Sequence, residues 1–140
     1  MIFKHGCLAI ASLLVLSAFA VAAELQRLTS AELRLRMLNN EANLAVVDVR
    51  GPGEFAKGHV QGARNLPGAE IASTNLSKDG LVVVYCGEDK CELSRKAAER
   101  FIAAGYLRVY LLEGGFTAWI AKGYPVETGR DSQRMKDRAG

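Results

Sequence analysis

The chain has 140 residues, 49% of them hydrophobic and 24% charged, which sets a prior of one globular domain and excludes a disordered or low-complexity chain. The net charge is +3, and Lys and Arg alternate with Asp and Glu along most of the sequence. That mild, interspersed charge lacks the concentrated basic face by which proteins bind nucleic acid.

The N-terminus is the first informative segment. Lys4 and His5 form a short basic head, and Cys7 to Val21 is an apolar run broken only by Ser12 and Ser17. Ala18-Phe19-Ala20 and Ala20-Val21-Ala22 both fit the small-x-small pattern of a cleavage site. We read residues 1–22 as a secretory signal cleaved after Ala22 rather than as an uncleaved anchor. The uncharged stretch from Gly6 to Ala23 is 18 residues, at the short end for spanning a bilayer. Cys7 lies too early, behind Lys4-His5-Gly6, to be a lipid-attachment cysteine. Cleavage would leave a domain over residues 23–128 and a polar tail over 129–140, expected in the periplasm or secreted and without stable membrane association. It would also leave two cysteines, Cys86 and Cys91, and one histidine, His59. These are too few for a disulfide framework or a zinc site, so the apolar core must hold the fold.

Glu24 to Leu28 alternates polar and apolar residues and reads as a short strand. Thr29 followed by Glu32 is a capping-box signature opening a helix from Ser30 to about Leu38, which Asn39-Asn40 end. Leu44 to Val49 is a continuous apolar run holding Asp48, typical of a strand buried on both faces. Pro52 suits the first turn of a short helix that Gly58 ends. Ala63 to Leu66 is a weak strand, and Ala69 to Lys78 is ambiguous, with a helical turn expected at most. Asp79-Gly80 turns into Leu81-Val82-Val83-Val84-Tyr85, the plainest strand in the chain. After a polar loop, Leu93, Ala97, Phe101 and Ala104 recur at helical spacing, with Gly105 as the C-terminal cap. Arg108 to Leu112 is a further strand. Gly114-Gly115 turns into a helix carrying Phe116, Trp119 and Ile120, and Gly123-Tyr124-Pro125 stops it. The tail from Gly129 to Gly140 is polar, lacks periodicity and is expected to be mobile.

Strands alternating with helices, two of them wholly apolar, point to an α/β layer structure around a mainly parallel sheet. Ligands of such sheets sit beyond the carboxyl ends of the strands, which is where Cys86 falls. The helix after its loop presents unpaired backbone N–H groups, and a curled loop can add more. Such a cradle favours a thiolate over a thiol and suits an anionic donor. Without further context, a buried inert cysteine at a strand end is an equally good reading.

Three motif groups supply the context. The first is Val47-Asp48-Val49-Arg50, then Glu54-Phe55, then Gly58-His59-Val60-Gln61-Gly62-Ala63-Arg64-Asn65-Leu66-Pro67. The second is Val83-Val84-Tyr85-Cys86, with Ser94-Arg95-Lys96-Ala97-Ala98 opening the next helix. The third is Gly105-Tyr106, Val109, then Leu112-Glu113-Gly114-Gly115-Phe116-Thr117-Ala118-Trp119 and Gly123-Tyr124-Pro125-Val126. In this order and spacing, the chain resembles the rhodanese family from about Leu25 to Glu127. The resemblance implies a three-layer α/β fold, its mainly parallel central sheet flanked by helices. It implies a sulfurtransferase of the thiosulfate sulfurtransferase (rhodanese) type with no cofactor. Cys86 would take a sulfane sulfur from thiosulfate or a persulfide and pass it to cyanide or a thiol, including a protein thiol, by covalent catalysis.

The loop departs from the common family pattern, which has Arg five residues after the cysteine and then Ser or Thr. Here those places hold Cys91 and Glu92, and Ser appears only at Ser94. The expected substrate-binding loop is therefore Gly87, Glu88, Asp89, Lys90, Cys91 and Glu92. Glu88 and Asp89 would disfavour a thiolate and repel thiosulfate if they faced inward; facing water, they would be screened. Cys91 has two readings, a resolving or disulfide-forming thiol and an inert small residue at the helix start. The Cα separation decides between them. Asp48 and Arg50 are read as a buried ion-pair anchor with Glu54 as a candidate partner of Arg50, and His59 as a packing and hydrogen-bonding residue near the loop. Two further functional classes stand beside sulfur transfer: a non-catalytic partner-binding rhodanese module, and a thiol–disulfide redox protein using Cys86 and Cys91.

Overall fold

A computed structural model of the chain describes residues 25–67, 74–130 and 138. The signal segment, residues 69–73 of the ambiguous stretch, and nearly all of the tail lie outside the described residues. Residues 74–78 contain no helix, and Gly129 and Arg130 are helical, with Gly129 seated against Ala56.

The elements follow in the order β1 (Gln26–Leu28), α1 (Ser30–Leu38), β2 (Ala45–Asp48), α2 (Pro52–Lys57), β3 (His59–Val60), β4 (Arg64–Asn65), β5 (Leu81–Tyr85), α3 (Glu92–Ala103), β6 (Arg108–Leu112), α4 (Gly115–Ala121) and β7 (Val126–Glu127). Five strands form one parallel sheet in the order β1-β6-β5-β2-β4. The expected parallel α/β architecture is therefore the observed one.

The central strands are buried on both faces, so their side chains divide by parity. Val82, Val84 and Cys86 join a core with Ala97, Ala98 and Phe101 of α3. Leu81, Val83 and Tyr85 join the other core, with Leu33 of α1 and Trp119 of α4. Helices thus cover both faces. Cys86, one residue past β5, keeps the parity that points its side chain toward α3.

The Thr29 capping box is present, with Thr29 Oγ1 accepting from the Glu32 N–H and Glu32 Oε2 accepting from the Thr29 N–H at 2.8 Å. The α3 face differs from the sequence expectation. Its buried stripe is Ser94, Ala97, Ala98 and Phe101, while Leu93 is 55% exposed and Ala104 is exposed. The stripe is set by which residues meet β5 and β6 rather than by which are largest. A second, antiparallel sheet pairs β3 with β7 and has no counterpart in the sequence reading. Two-residue strands carry too little periodicity to be read from sequence.

Candidate active site

Cys86 follows the central strand β5 and is only 9% exposed. Its loop is held from behind by the opening of α4. The Phe116 N–H donates to the Cys86 carbonyl and the Thr117 N–H to the Gly87 carbonyl, both at 2.9 Å. Thr117 Oγ1 donates to the same Gly87 carbonyl at 2.8 Å. This approach requires Gly115. A Cβ there would stand 2.6 Å from the Cys86 oxygen and 3.0 Å from the Glu88 nitrogen. Gly114 and Gly115 have φ of 69° and 57°, a left-handed conformation that glycine adopts at little cost.

Asp89 faces this support. Its Oδ1 accepts from the Gly114 N–H at 3.0 Å and pairs with Arg27 of β1. Asp89 is therefore neutralised by an anchor although its side chain is exposed, and Glu88 is exposed to water. Glu92 lies in the first turn of α3, where its pairing with Arg95 holds its carboxyl below the usual range. Lys90 is exposed.

Cys91 is the N-cap of α3, in extended conformation, and its side chain makes no capping hydrogen bond. It is disulfide-bonded to Cys86, with a Cα separation of 6.1 Å, inside the range a disulfide bridges. The sequence left the pairing open, and the structure forms it. The bond also places the Cys86 sulfur at the N-terminus of α3, whose first backbone N–H groups have no partner within the helix. The positive end of the helix dipole there stabilises negative charge on sulfur. Ser94 Oγ donates to the Cys91 carbonyl at 2.9 Å and fixes the first turn.

Asp48 and Arg50 form the expected anchor. Asp48 is fully buried, and Arg50 reaches both its oxygens, with Nη2 to Oδ2 at 2.7 Å and Nε to Oδ1 at 3.0 Å. Arg50 also donates to the Gly58 carbonyl at 2.7 Å. Burial works against the Arg50 charge, but Asp48 more than reverses this and raises the guanidinium above its ordinary value. The guanidinium lies 4.3 Å from the Phe116 ring centroid, so the anchor supports the residue whose N–H holds the Cys86 carbonyl. Burial, followed by the Asp48 charge, pushes the Tyr85 hydroxyl well above its ordinary value; neutral, it accepts from the Val60 N–H at 3.0 Å. Glu54 is not the partner of Arg50; it pairs with Lys57 one helical turn along. His59 is 1% exposed, stacks on Phe55 and places Nδ1 2.8 Å from the Phe55 carbonyl, with Nε2 3.7 Å from Glu127. Its contacts belong to α2 and β7.

Sequence reasoning did not identify Arg27, Phe116 and Thr117 as supports of the loop. The adjacent glycines at 114 and 115 were the only local signal for Phe116 and Thr117, and Arg27 had none.

A cysteine loop at the carboxyl end of a central parallel strand, backed by a Gly-Gly turn, is the arrangement of a rhodanese-type domain. The sequence matches the rhodanese-like domain family over residues 29–122, and the chain belongs to that family. Among curated relatives, it is 38% identical over 95 residues to the thiosulfate sulfurtransferase GlpE of Pseudomonas putida, covering 65% of this chain and 82% of that one. Among solved structures, a Bacillus halodurans protein aligns with a TM-score of 0.68 at 29% identity, covering 74% of this chain and 77% of that one. The rhodanese-like domain of an Anabaena protein aligns with a TM-score of 0.64 at 30% identity, covering 75% and 80%.

Proposed function

We propose that the chain is a sulfurtransferase that carries a sulfane sulfur on Cys86. The observation that carries this reading is the position of the Cys86 sulfur, beyond the central strand and at the mouth of α3. The name of the Pseudomonas putida relative supports thiosulfate as a donor class. With the disulfide reduced, the Cys86 thiolate attacks the outer sulfur of thiosulfate or of a persulfide. In thiosulfate the S–S bond breaks, sulfite leaves with the electron pair, and Cys86 holds a persulfide stabilised by main-chain N–H groups. An acceptor thiolate, from a small molecule or a protein, or cyanide, then attacks the outer sulfur and frees the Cys86 thiolate. The loop as substrate-binding element, residues 87–92, the supporting roles of Asp48 and Arg50 behind it, and the structural role of His59 in the adjoining α2 and β3–β7 layer belong to this proposal.

Mass measurement of the reduced protein after incubation with thiosulfate tests it. The expected result is release of one sulfite and, in Cys91→Ser, where no internal disulfide can form, a gain of one sulfur; both are lost in Cys86→Ser. The Cys86–Cys91 bond favours a second reading, thiol–disulfide exchange alone, under which no sulfite is released and no variant gains sulfur, but the reduced protein loses two hydrogens on oxidation. Neither change would leave a partner-binding module.

We also propose export, on the basic head, apolar run and small residues ending at Ala22. N-terminal sequencing of the protein recovered outside the cytoplasm is expected to begin at Ala23; an N-terminus still carrying residues 1–22 rejects cleavage.

A further inference from the structure

We infer that Cys91 is a resolving thiol, which makes this chain a releaser of sulfide at the expense of a dithiol. The inference rests on the reading of Cys86 as the sulfur carrier.

The two cysteines are joined sulfur to sulfur across one loop, at a Cα separation of 6.1 Å. In a Cys86 persulfide, the atom that Cys91 touches in this structure is the inner sulfur. Which sulfur is attacked decides the product of thiol exchange. Attack on the outer sulfur would pass the sulfane along; attack on the inner one expels it. The reach seen here is to the inner one.

The loop is built to hold that reach. On the Cys86 side, the carbonyls of Cys86 and Gly87 are fixed by α4 N–H groups and the Thr117 hydroxyl. Asp89 is tied to Gly114 and Arg27. On the Cys91 side, Ser94 holds the Cys91 carbonyl, and the Cys91 side chain packs against the α3 core without a capping duty that would compete with attack. The opening N–H groups of α3 favour negative charge on either sulfur.

The chemistry balances. The Cys91 thiolate attacks Cys86 Sγ, and the new Sγ–Sγ bond forms as the bond from Sγ to the outer sulfur breaks. The outer sulfur takes up the proton that the Cys91 thiol gives up and leaves with the bonding pair as HS⁻, reduced to sulfide, while the two cysteines are oxidised to the disulfide. An external dithiol then reduces the disulfide through a mixed disulfide and becomes a disulfide itself. With thiosulfate as donor, thiosulfate plus dithiol yields sulfite, hydrogen sulfide and the oxidised dithiol. The preferred reductant class is thereby a dithiol rather than cyanide.

The test uses the full chain, reduced, freed of reductant and mixed with one equivalent of thiosulfate. Sulfite, sulfide and protein mass are measured together. The wild-type protein is expected to release about one sulfite and about one sulfide per chain and to end as the Cys86–Cys91 disulfide. Cys91→Ser is expected to retain the extra sulfur and to yield roughly tenfold less sulfide for each sulfite it releases, whatever its rate of sulfite release. Cys91→Ala keeps the apolar contact and serves as the second variant, and the wild-type stoichiometry stands even if neither variant folds. A wild-type protein that retains the sulfur with Cys91 as a free thiol overturns the inference and leaves Cys86 as a carrier. Equal sulfide release from wild type and both variants also overturns it. Sulfite from none of the proteins, with no sulfur gained, overturns the carrier reading itself.

Discussion

Gly115 is where a single hydrogen atom decides the shape of the loop. Its φ of 57° already disfavours a side chain, and a Cβ would meet the Cys86 carbonyl oxygen at 2.6 Å. The three nearest atoms, from Cys86, Gly87 and Glu88, are all backbone, so they cannot swing aside as a flexible side chain would. Gly115→Ala is expected to cost about 2 kcal/mol in urea unfolding. It should also slow sulfur uptake at Cys86, because relief of the clash displaces the Cys86 and Gly87 carbonyls from Phe116 and Thr117. Unchanged uptake would show that this backing does not position the sulfur. The sequence made the turn legible, because adjacent glycines at a strand-to-helix junction signal unusual φ. It also made the Asp48–Arg50 pair legible, since a charge ending a buried strand needs a partner. It also offered Glu54 as a partner of Arg50, and Glu54 pairs with Lys57 instead, because that choice depends on the chain direction after β2. The partners of Asp89 were equally hidden, being 25 and 62 residues away in sequence.

Between elements, Glu41 joins α1 to the sheet. It receives Arg36 of α1 at 2.7 Å and Arg108 of β6 at 2.9 Å. The hydrogen bond from Arg36, then that from Arg108, holds its carboxyl below the usual carboxylate range. A carboxyl depressed by folding contributes stability above its unfolded pKa and loses it as the pH falls through the folded value. Glu41→Gln is therefore expected to cost roughly 0.5 kcal/mol at neutral pH. The difference from wild type should vanish in acid, once the wild-type carboxyl is itself protonated. Urea titrations at both pH values check this; a difference that persists in acid would assign the effect to something other than the carboxylate charge. Elements with strong local chemistry were legible, such as α1 with its capping box and β5 with its β-branched run. The β3–β7 pairing was not, because its partners are 68 residues apart in the His59–Glu127 register and each strand has two residues.

For the molecule as a whole, the Cys86–Cys91 bond closes a small ring, the two cysteines being five residues apart. Restricting so short a segment of the unfolded chain stabilises the fold by about 2 kcal/mol in the chain-entropy account. The two apolar cores lie on opposite faces of the sheet; Cys86 and Cys91 touch only one of them, which also holds Val82, Val84, Ala97, Ala98 and Phe101. Reduction is therefore expected to lower the urea midpoint while leaving a cooperative transition, as followed by far-UV circular dichroism. Loss of the transition on reduction would mean that the bond is structural and not part of a working cycle. The parallel α/β architecture was legible at this scale from alternating strands and helices. The strand order was not, because β1 reaches its place beside β6 only through contacts between distant segments.

That placement has a practical consequence. Among the described residues, β1 is an edge strand of three residues paired with β6 alone, and it carries the arginine that grips Asp89. Short edge strands fray before anything else in a sheet, and when this one frays the sulfur-bearing segment loses one of its moorings. An affinity tag or fusion partner grafted just ahead of Leu25 would sit beside that mooring, so sulfur-uptake measurements on such a product would test the graft as much as the loop.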